Sequence, residues 1–473
     1  MMSKNFLKLV FIGLAFFLGN TTIKANDAPV PAGVRHDYLD LNAFGLKGDN
    51  TDESAKLQEA IDKATKEGLT ITGKGVFNLG GKTLEAKLPL KMEGKKRGEF
   101  VIRNGNYILA SSDIYLKQVS FTDFKTAAFY YPPNTAPGKE IKMEVVNCDF
   151  INDHVAIYSR GESYNTMLKN SRITGSSFIN SNYAAIYLKF NYRDLLMEKN
   201  VFEGVSNNGK KLVALVIIGV DSTGGGDGLK FCNNTIRNIV HPGTDINYTV
   251  LAMGDHILAS GNLYENITDV AFYARGDNST VIQNTIINND AQSTHAIIAK
   301  KARPSGTINI SENIIRGKFS TAIYIDSRFK TANIDDNEIN LDNPDDSSNY
   351  NAVRILGHER HEKLNINGNS IKMNVSGKRS VCIRINGLYF DSVNIENNKE
   401  LQSNGGILLT GKNDAINELN VNNNNMKAGG PSPVRARNLS FRNNQMNFEL
   451  EGRNGFRVEG TKGLRKENNR VKD

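Results

Sequence analysis

An asparagine-centred unit recurs from residue 200 to near the end of the chain. Each copy reads as an apolar alternation, polar residues, an asparagine and a second apolar alternation, as in STVIQNTI and INISENII. The asparagines of the repeat are Asn200, Asn234, Asn262, Asn284, Asn313, Asn337, Asn369, Asn398, Asn424, Asn444 and Asn469. Their spacing of 20 to 34 residues is typical of a solenoid, and the period of two within each unit indicates strands rather than helices.

A further apolar run lies between successive asparagine units. Examples are AAIYLK (184–189), VAFYAR (270–275) and HAIIAK (295–300), separated from the units by loops of variable length. One coil therefore consists of a strand, an asparagine turn, a strand, a loop, a third strand and a loop. We predict an all-β fold, a single-stranded right-handed parallel β-helix whose coils pair with one another and whose asparagines stack as an internal ladder.

The open strand edge at the start of such a solenoid requires a cap. Thr51 and Asp52 are N-cap candidates for a helix, and Gly68 is its predicted C-terminal stop. Between them lies a stripe of apolar residues at helical spacing, formed by Leu57, Ala60, Ile61 and Ala64. We therefore expect an amphipathic helix that closes the N-terminal end of the solenoid.

The stretch LNAFGLKGDNTDESAKLQEAIDKA (41–64) resembles the N-terminal motif of the pectate-lyase-like superfamily of β-helix proteins. That motif combines a Phe-Gly-Ala-x-Gly-Asp-like stretch, an Asp-rich turn and a capping helix. Together with the coils, the resemblance extends over nearly all of the mature chain. It implies the fold, whereas activity stays open among lyases, hydrolases, epimerases and phage tailspikes, because one fold hosts many functions.

The first 25 residues read as a signal peptide. Lys4 and Lys8 precede an apolar run from Leu9 to Leu18, which is too short to span a bilayer. We place cleavage after Ala25 and expect a secreted or periplasmic protein without a membrane span. The predicted domains are the signal peptide (1–25), a cap segment (26–80) and the β-helix (81–473).

The net charge of +8 indicates an acidic partner. No basic tract or nucleic-acid-binding motif is evident, so nucleic acid is not the expected partner. An anionic polysaccharide is the natural alternative for an exported basic protein. We expect the chain to act as a monomer.

The strand after the long loop carries an ordered column of outward side chains. Aligning the apolar runs gives outward pairs on successive coils: Tyr158 with Arg160, Tyr187 with Lys189, Tyr273 with Arg275, Ile298 with Lys300, Tyr324 with Asp326, Arg354 with Leu356, and Arg384 with Asn386. Aromatic rings offer apolar faces to sugars, and cations bind carboxylate or sulfate. The same alignment assigns Gly219, Ala252 and Gly254 to the middle of the column, where small residues would leave room for a ligand. In the superfamily that the chain resembles, this strand is typically the substrate face.

This column favours β-elimination over hydrolysis. Hydrolysis of a glycosidic bond requires paired acids, but Asp326 is the only acid in the column, and Asp335 and Asp336 fall in the asparagine turn. Elimination needs a cation to neutralise a uronate carboxylate, a base for the C5 proton and an acid for the leaving oxygen. We predict that cationic neighbours lower the pKa of a lysine or tyrosine on this face.

Catalytic roles are predicted for Arg275 as the carboxylate-neutralising cation and for Lys300 as the base. Tyr273 or Tyr324 would act as base or acid, with His241 as an alternative in a loop leading onto the face. The residues predicted to hold neighbouring sugars are Tyr187, Lys189, His295, Arg303, Arg354 and Arg384; His295 is also an alternative base.

The expected function is that of a secreted polysaccharide lyase acting on a uronate-containing polymer such as chondroitin sulfate, hyaluronan or ulvan. A uronate C5-epimerase and a non-catalytic polysaccharide-binding β-helix are alternatives, and a glycoside hydrolase ranks below them. No cofactor is required by this chemistry. Calcium, which many members of the superfamily use, stays open, since Asp221 and Asp227 flank a Gly-rich loop.

Overall fold

The protein is described by a computed structural model. The described residues are 37–132, 140–159, 163–204, 214–220, 226–239, 248–268, 270–300, 306–326, 328–343, 350–375, 380–403, 406–410, 416–427, 438–447, 463–467 and 470–472. The residues of the sequence-based predictions that lie outside these ranges are the signal peptide, Arg160, Asp221, His241, Arg303 and Asn469.

Short parallel strands stack in three columns, here called sheets 1, 2 and 3, so that each coil pairs with its neighbours. Sheet 1 precedes the asparagine turn and comprises Tyr38–Asp40, Thr70–Thr72, Leu90–Glu93, Ile114–Lys117, Met143–Val146, Asp227–Cys232, Leu258–Ser260, Ser279–Ile282, Thr307–Ser311, Thr331–Asp335, Ile416–Asn422, Asn438–Arg442 and Gly463–Glu467, with Glu140–Ile141 beside it. The long strands Ser163–Thr174 and Phe190–Glu198 end in this sheet.

Sheet 2 follows the asparagine turn. Its strands are Asp49–Asp52, Gly75–Asn78, Phe100–Arg103, Val119–Thr122, Asp149–Ile151, Ser177–Ile179, Val201–Glu203, Thr235–Ile239, Leu263–Ile267, Glu338–Asn343, Ser370–Val375, Glu400–Gln402, Asn425–Lys427, Gln445–Asn447 and Arg470–Lys472. Inside this sheet Phe121, Phe150 and Phe178 stack with ring centroids 5.3 and 5.0 Å apart. This file of identical rings fills the narrow interior at one level of these coils.

Sheet 3 completes each coil and carries the outward column. Its strands are Thr83–Ala86, Tyr107–Ala110, Phe129–Tyr131, Val155–Ser159, Ala184–Leu188, Ala214–Ile218, Tyr248–Met253, Val270–Arg275 and Ile407–Thr410. Four longer strands turn a corner without a break: Thr285–Lys300 and Ile314–Asp326 join sheet 2 to sheet 3, and Asn351–Asn367 and Val381–Glu396 join sheet 3 to sheet 1. The prediction of a right-handed parallel β-helix is confirmed.

The asparagines from Asn200 to Asn444 form the predicted internal ladder. Asn313 is typical: its Nδ2 donates to Val281 O and to Asn337 Oδ1, both at 2.9 Å. Its Oδ1 accepts from Asn284 N and Asn284 Nδ2, both at 3.0 Å. The residue before it, Glu312, has a φ of 55°, which turns the chain so that the asparagine faces inward. The ladder thus satisfies buried polar groups between coils.

The predicted N-terminal helix spans Ser54–Glu67, and its whole apolar stripe is buried. It ends at Gly68 with a left-handed φ of 72°, as predicted. The predicted N-cap residues are wrong, because Glu53 occupies that position; Asp52 instead accepts a hydrogen bond from Ser54 N at 3.0 Å. Gln58 exchanges hydrogen bonds of 2.8 Å with both backbone groups of Glu85, so the helix covers a strand edge as a cap should.

Among the described residues, no helix is long and apolar enough to cross a membrane. Nor do three or more metal-binding side chains of the histidine, cysteine or carboxylate type come together in these ranges. Asp221, one of the two acids considered for calcium, lies outside the described residues, so calcium binding there stays a prediction.

Asp153 is a buried acid at the corner between sheets 2 and 3. Its Oδ1 accepts from Phe124 N at 2.9 Å, while Oδ2 has no hydrogen-bond partner among the described residues. Burial raises the pKa of this carboxyl well above its ordinary value, so the folded protein retains a proton that the unfolded chain releases above about pH 4.

Asp153→Asn is therefore expected to stabilise the protein increasingly as pH rises from about 4 to about 8, since the amide cannot ionise. Melting temperatures of both proteins across this range measure the effect. The exposed Asp194→Asn change is the control. A stability difference that stays constant with pH would contradict the assignment of a buried, protonated acid.

Candidate functional site

The outward side chains of sheet 3 form two files that run along the solenoid axis. The first file, in register order, is Tyr130, Tyr158, Tyr187, Ile217, Leu251, Tyr273, Ile298, Tyr324, Arg354, Arg384 and Leu408. The second is Met253, Arg275, Lys300, Asp326, Leu356 and Asn386. Parallel in-register pairing places neighbouring members one coil apart, about 4.8 Å. The predicted alignment holds from Tyr273 to Arg384.

The middle of the first file differs from the prediction. Ala252 points into the core, paired with Ala274, whereas Leu251 and Met253 point outward. The prediction slipped by one residue because TVLAMG is apolar at nearly every position, so its alternation does not reveal a face. Gly254 lies beyond the strand.

Large apolar side chains occupy this middle segment instead of a gap. Tyr273 is only 7% exposed and Ile298 only 6%. Tyr273 packs against Tyr248, with ring centroids 4.8 Å apart, and against Val270 and Ile298. The structure therefore gives Tyr273 a packing position, and the room predicted for a ligand at Ala252 is absent.

Four polar residues lie on the four coils that follow Tyr273 and are here called the cationic cluster: His295, Tyr324, Arg354 and Arg384. The His295 and Tyr324 rings lie 5.0 Å apart. The guanidinium of Arg354 lies over the Tyr324 ring at 5.4 Å. Arg384 follows Arg354 in register, and its Nε donates to Asn386 Oδ1 at 3.3 Å. Sequence reasoning named all four but did not foresee that they form one group.

Burial decides the protonation states in this cluster. Burial and, to a lesser extent, the charge of Arg354 lower the pKa of His295 to about 4. His295 is thus neutral at pH 7, and its Nδ1 has no hydrogen-bond partner in the described ranges. A neutral imidazole is able to accept a proton.

Tyr324 behaves opposite to the prediction for tyrosines on this face. Burial, followed by the charge of Asp326, raises its pKa, and the opposing effect of Arg354 is smaller. Tyr324 is therefore a phenol, a proton donor rather than a phenolate base. For Arg384, burial lowers the pKa of the guanidinium, and the charge of Arg354 lowers it as well. A guanidinium nevertheless stays charged at neutral pH.

Lys300 and Asp326 form an ion pair beside the cluster. Lys300 Nζ lies 3.0 Å from Asp326 Oδ2, and the carboxylate is only 15% exposed. Arg275 precedes Lys300 in the same file. A lysine held by a carboxylate serves better as a fixed cation than as a proton acceptor, so the geometry favours His295 over Lys300 for that role.

Tyr187 and Lys189 lie well away from this cluster. Lys189 Nζ is 5.8 Å from the centre of the Tyr187 ring, and five coil steps, about 24 Å, separate Tyr187 from Tyr324 in the first file. The continuous wall that the sequence predicts is thus two polar zones separated by the apolar middle segment.

The fold and this face define a parallel β-helix with an aromatic and cationic surface along one sheet. No protein-family model matches the chain, and no curated protein matches it significantly. Solved structures with a similar course include a tailspike protein of E. coli bacteriophage HK620 in complex with a pentasaccharide, at 12% identity and a TM-score of 0.46, covering 92% of this chain and 80% of that one.

Two further similar structures are those of enzymes. One is the catalytic unit of a GH87 alpha-1,3-glucanase from Streptomyces thermodiastaticus, at 14% identity and a TM-score of 0.39, covering 93% of this chain and 69% of that one. The other is the A-module of a mannuronan C-5 epimerase from Azotobacter vinelandii, at 12% identity and a TM-score of 0.29, covering 92% and 100%. At such identities and TM-scores, neither the activity nor the substrate of these proteins can be assigned to this chain.

Proposed function

We propose that the protein is a secreted polysaccharide lyase that cleaves a uronate-containing polymer by β-elimination. The observation that carries the proposal is a neutral imidazole, His295, placed beside a phenol, Tyr324, and two guanidinium groups, Arg354 and Arg384. These are a base, an acid and two cations, which are the groups that elimination requires.

In the proposed reaction, Arg354 and Arg384 bind the uronate carboxylate and stabilise the charge that develops when the C5 proton leaves. His295 accepts that proton. The C5 electrons form the C4–C5 double bond, the C4–O bond breaks, and Tyr324 donates its proton to the leaving oxygen. Arg275 and Lys300 then supply positive charge for a neighbouring acidic sugar.

A hydrolase has less support from this geometry. Within the two files, Asp326 is the only carboxylate, and it is paired with Lys300. Among the described residues of these two files, hydrolysis with two carboxyl groups flanking the bond therefore lacks its second member.

The test uses the purified full chain with hyaluronan, chondroitin sulfate, ulvan and alginate, each with and without a chelator. We expect a rise in ultraviolet absorbance from unsaturated uronate ends on at least one polymer. NMR of the products separates cleavage from epimerisation, which would alter the polymer without unsaturated ends. Absence of absorbance on all four polymers would overturn the proposal.

A further inference from the structure

A second polar zone lies on the N-terminal coils of sheet 3, remote from the cationic cluster. It consists of Tyr107, Tyr130, Tyr158 and Tyr187, here called the tyrosine ladder. Successive ring centroids are 5.0, 5.6 and 5.3 Å apart. All four side chains are partly exposed.

The exposure of the ladder separates it from structural ring stacks in the same protein. The phenylalanine file of sheet 2 is buried inside the solenoid, and Tyr131, Tyr192 and Tyr264 are fully buried as well. Packing within the core therefore explains those rings. It accounts for only part of the four rings on the outer surface, which pack against the core on one side and keep part of their surface in water.

The ladder also has a direction and a charge. Because its rings follow successive coils, it runs parallel to the solenoid axis, which suits a linear ligand more than a compact one. Tyr183 lies 6.3 Å from Tyr187 and stacks on His154 at 5.4 Å, which widens the aromatic surface. Lys189 places a cation over Tyr187, so an anionic chain is the complementary partner.

We propose that the tyrosine ladder is a binding platform for a linear acidic polysaccharide, separate from the reacting centre. The choice of an acidic polysaccharide as the ligand rests on the proposed function, to which the ladder adds a second region of contact with the polymer. Sugar rings would lie against the tyrosines, whose apolar faces and hydroxyls match the two sides of a pyranose. A linear polymer held there would extend toward the cationic cluster, about 24 Å further along the first file.

The experiment measures retardation of the full chain in native gels that contain hyaluronan, alginate or uncharged dextran. We expect an acidic polymer to retard the wild type and the double variant Tyr158→Ala/Tyr187→Ala to bind it about fivefold or more weakly, a loss typical of two aromatic contacts. Tyr38→Ala is the matched control, because Tyr38 is an exposed tyrosine on sheet 1. Lys189→Gln, which leaves the rings in place, is expected to reduce retardation and its dependence on salt.

A purely structural ladder predicts a different result. In that case the double variant melts earlier but is retarded like the wild type once folded, and this outcome would overturn the proposal, as would equal retardation by dextran. If the double variant fails to fold, the Lys189→Gln variant decides instead. Weaker retardation than the wild type would support the platform, and equal retardation would overturn it.

The platform and the lyase activity fail independently. Loss of retardation in the ladder variants without any unsaturated product would support the platform and refute the lyase. Formation of unsaturated product together with unchanged retardation of the ladder variants would support the lyase and refute the platform. If both hold, the ladder variants should raise KM for the polymer and leave kcat near the wild-type value, because the contacts bind substrate and transition state alike.

Discussion

His295→Gln is expected to lower the rate of unsaturated-product formation by about 10² to 10⁴-fold, the usual contribution of a positioned acid or base. Glutamine is neutral and polar, but it cannot accept the C5 proton. Binding of the polymer should stay close to that of the wild type, because Arg354, Arg384 and the tyrosine ladder are untouched. The measurements are the initial rate of ultraviolet absorbance and retardation in polymer-containing gels.

The pH dependence of the wild type offers a second readout of the same residue. Burial and Arg354 hold the pKa of His295 at about 4, against an ordinary value of 6.5. The imidazole is therefore neutral, and able to act as a base, down to about pH 4. We expect the rate to fall only as pH drops through that value, and not already below 6.5.

His256→Gln is the matched control for the substitution. His256 lies at a corner of the coil, its side chain is 62% exposed, and its Nδ1 is 2.7 Å from Asp227 Oδ1. Its replacement should leave the rate unchanged. If His295→Gln keeps full activity, the base is another group, and Lys300 becomes the next residue to replace.

The fold could be predicted because the sequence repeats one physical constraint. A buried asparagine between coils needs partners above and below, so it recurs once per coil, as at Asn284 and Asn313. Alternating strands such as VAFYAR and TAIYID also reveal their outward residues. The N-cap of the helix could not be located to the residue, because Asp52 and Glu53 are both plausible caps and neighbouring backbone geometry decides between them.

The site was predicted only in part, for three physical reasons. A strand that is apolar at nearly every position, such as TVLAMG, does not show which of its residues face outward. Ala252 was therefore assigned to the wrong face. Whether a cation has an ion-pair partner depends on the side chains of the neighbouring coil, so the contact of Lys300 with Asp326 could not be predicted from one strand. The balance of burial against charge sets the pKa of Tyr324, and burial depends on the whole structure. The tyrosines of the ladder were partly visible in sequence, at Tyr158 and Tyr187, but their stacking was not.

Asn313→Ala is expected to destabilise the protein by about 2 to 4 kcal/mol, from a buried donor left unsatisfied and a small cavity. The Oδ1 atom of Asn313 accepts from Asn284 N at 3.0 Å, and alanine provides no substitute inside the solenoid. Asn337 keeps a partner, since Asn313 N still donates to its Oδ1 at 3.0 Å. The measurement is the urea midpoint of unfolding.

Asn309→Ala provides the control, because Asn309 belongs to a second asparagine row on the outer surface of sheet 1. There Asn333 Nδ2 donates to Asn309 Oδ1 at 2.8 Å in a partly exposed setting, where water can replace the lost partner, so the cost should be below about 1 kcal/mol. Because each coil contacts only its neighbours, the Asn313 defect should also raise hydrogen exchange most at the adjacent coils, around Val281 and Asn337. Equal costs for the two substitutions, or exchange raised uniformly along the solenoid, would show that the internal ladder does not carry the coil-to-coil stability that its hydrogen bonds imply.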